Sequence, residues 1–381
     1  MAHRVKLLFV HQFSLPSISG VTVMISELLR LMPTVDPPTR AGHQGYEGLR
    51  EPADLLASLR LNHPDATCVV GVNLHIEVGW DHTLALARWC ETNRIPFYLH
   101  AHDYWPHHRQ GVAILTDRFR ARLLATTPSI ADALASDGFT SAMLPVGVSI
   151  PDNQASPVAT WPESKPRTVA SVGRLVPRKR FPDVVRAFCL ADLGPLASLY
   201  LRVPPSLVYS REQDAERLRE IHREALSCQP ARSILVDPQP RLGIRYGQWF
   251  VYVSASEYEG LSMTPIESVT QGCPPLVSDI APHRAIIGML FPRNPGDFMF
   301  PPGDHKALAR LLRDEFRTER RRAELAAHWE EIQETATRAW SLRATARAFA
   351  HIAHVGEIPS AVPDPLQASG SELRRRQWGP P

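Results

Sequence analysis

Two glutamates, Glu259 and Glu267, lie eight residues apart in the segment Glu-Gly-Leu-Ser-Met-Thr-Pro-Ile-Glu. An apolar run at 249–253 precedes the segment and predicts a buried strand, while Thr264 and Pro265 fit the N-cap and first turn of a helix. Carboxylates at such a place can accept hydrogen bonds from paired sugar hydroxyls, and the amides of the helix start can face a phosphate. The pattern therefore predicts a site for a ligand that carries both kinds of group.

Glu267 also has an explanation that needs no ligand. Thr264 and Glu267 match the Thr-x-x-Glu capping box, in which two side chains bind backbone N–H groups at the start of a helix. Two glutamates at this spacing are weak evidence by themselves, because a chain with 39 acidic residues offers several such pairs. The ligand site and the capping box are compatible with each other, so the rest of the chain must decide.

A second group of charged residues follows an earlier predicted strand at 168–172. The strand leads into Gly173, Arg174 and then Lys179, just before a predicted helix. Gly173 permits close backbone approach, and the planar fork of Arg174 and the point charge of Lys179 can converge on a diphosphate. The alternative is that the basic run at 178–180 is only a solvated turn.

Histidines cluster around the end of a predicted strand at 97–100. His100 and His102 have the alternate spacing that places two side chains on one face of a strand, which two metal ligands could use, and His107 and His108 follow. No cysteine or carboxylate at ligand spacing accompanies them, so a metal site is the less favoured explanation. A single histidine at a strand end is more often structural than a ligand.

Short β-rich runs alternate with helical segments along both halves of the chain, which is typical of parallel α/β sheets. In the first half, strands are predicted at 5–10, 67–72, 97–100, 123–126 and 143–145, and helices at 21–32, 53–61 and 83–92. In the second half, strands are predicted at 168–172, 198–203, 233–236, 250–253 and 276–278, and helices at 181–190, 214–227 and 265–271. Between residues 32 and 53 no strand is evident, and Pro37-Pro38 with three glycines favours a loop.

These elements predict two doubly wound domains, 1–150 and 167–335, joined by a Pro- and Ser-containing linker at 151–166. Ligands of such sheets bind at the C-terminal ends of the strands. The chain has neither a Gly-x-Gly-x-x-Gly fingerprint nor a Walker-type loop, which argues against a nicotinamide dehydrogenase or a P-loop NTPase.

Composition excludes several other classes of protein. The chain has 381 residues, 44% of them hydrophobic, which is enough for two ordinary cores. A net charge of +3 gives no electrostatic case for a nucleic acid or an anionic membrane as partner. The five cysteines are odd in number and far apart, so we expect reduced thiols in the cytoplasm. The apolar run at 6–10 is too short for a signal peptide, and no segment approaches the roughly 20 apolar residues of a membrane span.

The two charged groups together resemble the donor-site motifs of the family 4 glycosyltransferases. In that family, a Gly-Arg-Leu…Lys loop comes first and a Glu, seven residues and a second Glu follow, which is the order found here. Gly303-Asp304 resembles the family's Pro-Gly-Asp turn, and 336–357 resembles its terminal helix, which crosses back to the first domain. Residues 358–381 are then expected to be a disordered tail. The resemblance implies an α/β fold with two facing Rossmann-like doubly wound domains, called GT-B.

The resemblance also implies roles for individual residues. Arg174 and Lys179 would stabilise the departing diphosphate, Glu259 would hold hydroxyls of the donor sugar, and Glu267 would take the ribose hydroxyls. His102 would line the cleft close to the sugar. The implied catalytic residues are His102, Arg174, Lys179 and Glu259. The implied donor-binding residues are Gly20, Gly173, Arg174, Lys179, Glu259, Gly260, Leu261, Ser262, Met263, Thr264 and Glu267.

The sequence departs from the family's pattern in three places. The usual Gly-Gly pair of the first loop is Ser19-Gly20, so only Gly20 keeps full backbone freedom. The Asn-Gly-Val-Asp turn that ends the first domain is replaced by 146–149. A Gly-rich turn after the strand at 198–203 is replaced by Val-Pro-Pro-Ser, whose prolines lack amide donors.

The expected function is therefore a retaining transfer of a hexosyl-type sugar from a nucleotide-diphosphate donor to a soluble hydroxyl acceptor, such as a sugar, a cyclitol or a small natural product. No metal or other cofactor is expected beside the donor. Two alternatives stay open. A nucleotide-sugar epimerase of the same architecture would need an acid and a base that we do not find, and a non-catalytic nucleotide-sugar-binding protein would fit the altered glycine loops.

Overall fold

The computed structural model describes residues 6–11, 20–45, 49, 51–72, 80–104, 106–148, 167–205, 209–228, 233–239, 244–317 and 319–357. The chain divides into two compact units, Met1–Ser149 with Ala339–Pro381, and Ile150–Arg338. The predicted linker at 151–166 and tail at 358–381 lie outside the described residues, as does Ser19.

The first unit is built on a parallel sheet of six strands. The strands are β1 (Lys6–His11), β2 (Arg40–Gly45), β3 (Cys68–Val72), β4 (Phe97–Ala101), β5 (Arg122–Ala125) and β6 (Ser141–Met143). Their order across the sheet is β2-β1-β3-β4-β5-β6. The direction of winding reverses between β1 and β3, and a ligand crevice is expected beside the C-terminal ends of these two strands.

The second unit repeats this plan. Its strands are β7 (Thr168–Val172), β8 (Ser198–Arg202), β9 (Ser233–Asp237), β10 (Val251–Ser254), β11 (Pro275–Ser278) and β12 (Met299–Phe300). They lie in the order β12-β11-β10-β7-β8-β9, and every pair is parallel. The winding reverses between β7 and β10, so the loops that follow these two strands flank the topological switch point.

Helices connect the strands in both units. The first unit contains α1 (Gly20–Leu31), α2 (Pro52–Asn62), α3 (Trp80–Thr92), α4 (Arg109–Ala113) and α5 (Pro128–Ser136). The second contains α6 (Phe181–Ala191), α7 (Arg211–Leu226), α8 (Met263–Thr270), α9 (Ala281–Leu290), α10 (His305–Arg317) and most of α11 (Glu319–Ala339). The last helix is α12 (Leu342–Val355). None of the helices in the described part of the chain combines the length and apolar character needed to cross a bilayer.

The central strands are buried on both faces. All six residues of β1 are buried, and Leu7, Leu8, Phe9 and Val10 have no exposed surface. Parallel strands covered by helices on both sides favour apolar side chains in nearly every position, which explains why these strands read as near-continuous apolar runs in the sequence. The hydrophobic cores therefore lie directly on either side of each sheet.

The last helix, α12, packs on the sheet of the first unit. The rings of Phe349 and Phe9 meet edge to face with centroids 5.1 Å apart. Near the start of the helix, the Thr345 hydroxyl donates to the Pro145 carbonyl at 3.1 Å. Gly147 allows the close approach of the two segments, since a Cβ built there would lie 2.2 Å from the Leu342 nitrogen.

The structure contains the second strand that the sequence pattern did not predict. β2 pairs in parallel with β1 over its whole length, from Lys6 opposite Arg40 to His11 opposite Gly45. Its sequence, Arg-Ala-Gly-His-Gln-Gly, lacks the β-branched and apolar residues that identify a strand. β2 forms at the edge of the sheet, where backbone pairing to one neighbour and half-exposed side chains tolerate glycine.

The expectation that all five cysteines are reduced is wrong for one pair. Cys189 in α6 and Cys228 just after α7 form a disulfide, with their Cα atoms 5.4 Å apart. The two residues are 39 positions apart, and they meet because α6 and α7 pack against each other. Cys68, Cys90 and Cys273 are buried free thiols.

We predict that Gly147→Ala lowers the free energy of unfolding of the first unit by roughly 3 kcal/mol, because the added methyl would overlap backbone atoms at Ser341 and Leu342. The control is Gly288→Ala, on an exposed position of α9 where a Cβ meets nothing. That change should stabilise by about 0.5–1 kcal/mol, since alanine is the better helix former. Urea unfolding of both variants makes the comparison, and equal stabilities would contradict the prediction.

Candidate functional site

The two charged groups found in the sequence meet at the C-terminal edge of the second sheet. β7 and β10 are neighbours in the sheet, and Lys179 and Glu259 lie on the loops that follow them. The loops are also joined through their backbones, because the Glu257 N–H donates to the Arg178 carbonyl at 2.8 Å. The predicted diphosphate loop and the first predicted glutamate therefore share the switch point of the sheet.

Glu259 lies between two cations. Its Oε1 atom pairs with Nζ of Lys179, and its Oε2 atom is 2.7 Å from Nη1 of Arg178. The glutamate side chain is only 6% exposed, and those of Lys179 and Arg178 are 13% and 21% exposed. The sequence alone allowed Arg178 to be part of a solvated turn, but the structure pairs it with Glu259 in the site.

The carboxyl group of Glu259 is held in its ionised form. Burial acts to raise its pKa, but the charges of Lys179 and Arg178 act in the opposite direction and prevail, so the pKa is far below the usual value. The Ser256 hydroxyl donates to Oε1 at 2.7 Å and adds to the effect. The site is therefore a buried carboxylate fixed by three donors.

Gly173 carries the stem of Lys179. A Cβ at Gly173 would lie 3.1 Å from Cε and 3.2 Å from Cδ of the lysine, so the aliphatic chain packs over the glycine backbone. Arg174 follows, half-buried in the same loop. The absence of a side chain at Gly173 thus sets where the lysine ammonium group lies.

The predicted capping box is not formed. Helix α8 begins at Met263 with Ser262 as its N-cap, two residues before the N-cap that the pattern predicts at Thr264. Thr264 instead accepts a hydrogen bond from the Tyr252 hydroxyl at 2.6 Å, and Glu267 accepts one from the Tyr246 hydroxyl at 2.9 Å. With the helix starting earlier, Glu267 falls beyond the position from which it could cap.

A buried histidine supports the loop that carries Glu259. Nδ1 of His283 lies 2.8 Å from the Ser278 carbonyl and Nε2 lies 3.0 Å from the Ser262 hydroxyl. Burial lowers the pKa of His283 to about 4, although the nearby Glu259 charge acts to raise it. The ring is thus neutral near pH 7. Nothing in the sequence marked His283, because its partners lie 5 and 21 positions away on other elements.

The predicted site residues of the first unit lie at the C-terminal edge of its own sheet. His102 follows β4, and its Nε2 atom is 3.2 Å from Nδ1 of the buried His100. His100 in turn contacts the Leu144 carbonyl through Nε2 at 2.8 Å, and burial lowers its pKa to about 4. Gly20 is the first residue of α1. Among the described residues, no group of three or more metal-binding side chains is present.

We predict that Glu259→Gln lowers the free energy of unfolding of the second unit by roughly 3 kcal/mol at pH 7, because it leaves two largely buried cations without their counter-charge. A carboxylate whose folded pKa is lowered contributes its full stability above its ordinary pKa of about 4.5. Below that pH, the difference from the wild type should shrink by about 1.4 kcal/mol per pH unit. Urea unfolding at several pH values measures it.

The matched control for this prediction is Glu257→Gln in the same loop. Glu257 pairs with Arg180 at 2.9 Å, but the two side chains are 45% and 37% exposed. Exposed ion pairs contribute about 0–1 kcal/mol, so this variant should be near wild type at every pH. Equal losses of unfolding free energy in the two variants would show that burial does not make the Glu259 ion pairs more stabilising than the exposed Glu257 pair.

The comparisons with known proteins concern the second unit and the fold of the whole chain. Residues 155–332 match the family described as Glycosyl transferases group 1. No curated protein is a significant sequence match. Among solved structures, HepE of Anabaena in complex with UDP and glucose superposes with a TM-score of 0.67 at 16% identity, covering 91% of this chain and 98% of that one.

A second solved structure gives the same result. The UDP-forming α,α-trehalose-phosphate synthase of Burkholderia vietnamiensis has a TM-score of 0.65 at 16% identity, covering 93% of this chain and 99% of that one. At such identity the likeness concerns the fold, and it confirms the prediction of two Rossmann-like doubly wound α/β domains. The chain therefore has the GT-B fold of these structures, and its second unit carries the match to the group 1 glycosyltransferase family.

Proposed function

We propose that the protein is a retaining glycosyltransferase that moves a hexosyl group from a nucleotide-diphosphate sugar to a soluble hydroxyl acceptor. The observation that carries the proposal is the Lys179–Glu259 pair at the β7–β10 switch point, where open α/β sheets bind their ligands. Uridine is the first nucleotide to test, because HepE was solved with UDP-glucose.

The cations of the site suit a departing diphosphate. Lys179 is held over Gly173, and Arg174 lies in the same loop. Negative charge grows on the leaving group as the glycosidic bond stretches, so these cations bind the transition state more tightly than the ground state. We propose that no metal ion is needed, because Lys179 and Arg174 supply the positive charge.

The acidic residues suit the two sugars of the donor. Lys179 and Arg178 pair with the Glu259 carboxylate, and a bound sugar would exchange its hydroxyl donors for part of this contact. Glu267 lies on α8 and accepts a hydrogen bond from the Tyr246 hydroxyl, and its proposed role is to take the paired ribose hydroxyls of the nucleotide. The amides of residues 260–262 complete the proposed sugar contacts, and those at the start of α8, from Met263, face the diphosphate.

Retention, the acceptor and the roles of His102 and Gly20 follow from the resemblance to the family. In this mechanism the acceptor attacks on the leaving-group face, and an oxygen of the donor phosphate takes its proton. His102, stacked edge to face on His100 with ring centroids 4.8 Å apart, has a fixed orientation that suits contact with a sugar. Its role stays a prediction.

Donor turnover tests the proposal. The protein is incubated with UDP-, GDP- and ADP-hexoses, with and without a pool of small hydroxylated acceptors, and nucleoside diphosphate release is followed together with the anomeric configuration of the product. Acceptor-dependent release with retained configuration supports the proposal. Isomerised donor would instead show an epimerase, and protection against unfolding without any product would show a binding protein.

We predict that Lys179→Ala and Arg174→Ala each lower kcat/KM for the accepted donor by about 10²–10³-fold, because each removes a cation from the developing diphosphate charge. The matched controls are Lys306→Ala and Arg310→Ala, exposed positions of α10, which should stay within about twofold of wild type. Unchanged release by Arg174→Ala would show that the proposed diphosphate clamp is wrong.

A further inference from the structure

The N-cap residue of α8 does not use its side chain to cap the helix. Ser262 has the extended backbone of an N-cap, with φ −87° and ψ 94°, yet it makes no side-chain capping hydrogen bond. Serine is favoured at this position because its oxygen accepts from an amide of the first turn. Here Ser262 is only 2% exposed, and its hydroxyl lies 3.0 Å from Nε2 of His283.

The hydrogen-bond partners fix the direction of each bond. The Ser278 carbonyl only accepts, so Nδ1 of His283 carries the ring proton, and Nε2 of the neutral ring must accept from the Ser262 hydroxyl. His283 has no exposed surface, and both ring nitrogens have partners. The histidine thus holds the Ser262 hydroxyl away from the first turn of α8.

The same histidine reaches the other end of the loop. The Ser278 hydroxyl lies 3.3 Å from Nδ1 of His283 and donates to the Ser256 carbonyl, and the Ser256 hydroxyl donates to Glu259. Ser256 and Ser278 are fully buried. A continuous chain of buried hydrogen bonds therefore fixes both ends of the loop at 256–262 to β11 and α9.

We infer that His283 is a positioning residue for the donor diphosphate. By binding Ser262, it fixes the loop and leaves the amides at the start of α8 without a side-chain cap, so that they are available to the donor. A helix start whose amides are not taken by a side-chain cap offers them, together with its positive dipole end, to an anion. This inference rests on the proposed function.

Two conservative substitutions separate the contacts of the ring. His283→Asn places an amide nitrogen near Nδ1, so it keeps the bond to Ser278 and loses the bond to Ser262. His283→Gln places an oxygen near Nε2 and does the reverse. Ser262→Ala removes the hydroxyl alone, and the double variant His283→Asn with Ser262→Ala closes a mutant cycle. His222→Asn, at an exposed position of α7, is the matched control.

The first measurement is UDP affinity by calorimetry, alongside the thermal unfolding temperature. His283→Asn and Ser262→Ala should each weaken UDP binding about tenfold, the effect of one lost hydrogen bond. The double variant should be no weaker than either single one, and His283→Gln should stay within about twofold of wild type. Unfolding temperatures should fall for both His283 variants. If His283 had only a structural role, the two variants would therefore have similar UDP affinities.

The second measurement is hydrogen exchange of the amides at 260–264 without ligand. Exchange should be at least about tenfold faster in Ser262→Ala than in wild type, because the loop loses its bond to His283, and near wild type in His283→Gln. In His283→Asn the released Ser262 hydroxyl can cap the Thr264 amide, which should therefore exchange more slowly than in Ser262→Ala. Wild-type exchange and wild-type UDP affinity in Ser262→Ala, additive affinity losses in the double variant, or equal exchange of the Thr264 amide in His283→Asn and Ser262→Ala would each overturn the inference. If the wild type binds none of UDP, GDP and ADP, the proposed function fails, and the exchange comparison alone decides whether His283 positions the loop.

Discussion

The burial of one carboxylate, that of Glu259, constrains everything around it. Moving an ionised carboxyl group out of water costs several kcal/mol, and only close, well-oriented cations offset that cost. Lys179 and Arg178 provide them, and Ser256 supplies a further donor. A hydrophobic replacement of similar volume would often be as stable, so stability alone does not explain why charges occupy this place. Their position at the C-terminal edge of the sheet, where open α/β sheets bind ligands, does explain it.

The parallel sheet is what brings these charges together. Arg178 and Glu259 are 81 residues apart in the sequence, but β7 and β10 are neighbours and end at the same edge. The loops are then joined in both directions, from the Glu257 amide to the Arg178 carbonyl and from the Arg178 guanidinium to the Tyr258 carbonyl, each at 2.8 Å. Lys179 and Glu259 therefore meet because of the topology, and the backbone bonds limit how far they can separate.

Sequence patterns predict the parts of this arrangement that local physics determines. The β-rich run at 168–172 identified β7, and the order of the charged motifs predicted that Lys179 and Glu259 belong to one site. β2 was missed because an edge strand with two glycines carries no apolar signal, and the Cys189–Cys228 pair because helix packing decides it. Arg178 looked like a solvated turn, since its partner lies on another loop.

The hydrogen bonds around His283 show why such a site escapes prediction from sequence. Serine and histidine are common in loops and helices, so neither residue type stands out in the sequence. These residues position the loop only because the fold brings them within hydrogen-bonding distance of one another. A buried polar network stabilises a defined geometry when every member is satisfied, and it is costly when one is not. The network of Ser256, Ser262, Ser278 and His283 meets that condition at both ring nitrogens. An apolar core could fill the same space, but it would leave the direction of the Ser262 hydroxyl unspecified. The polar network specifies that direction, and with it the availability of the amides that begin α8.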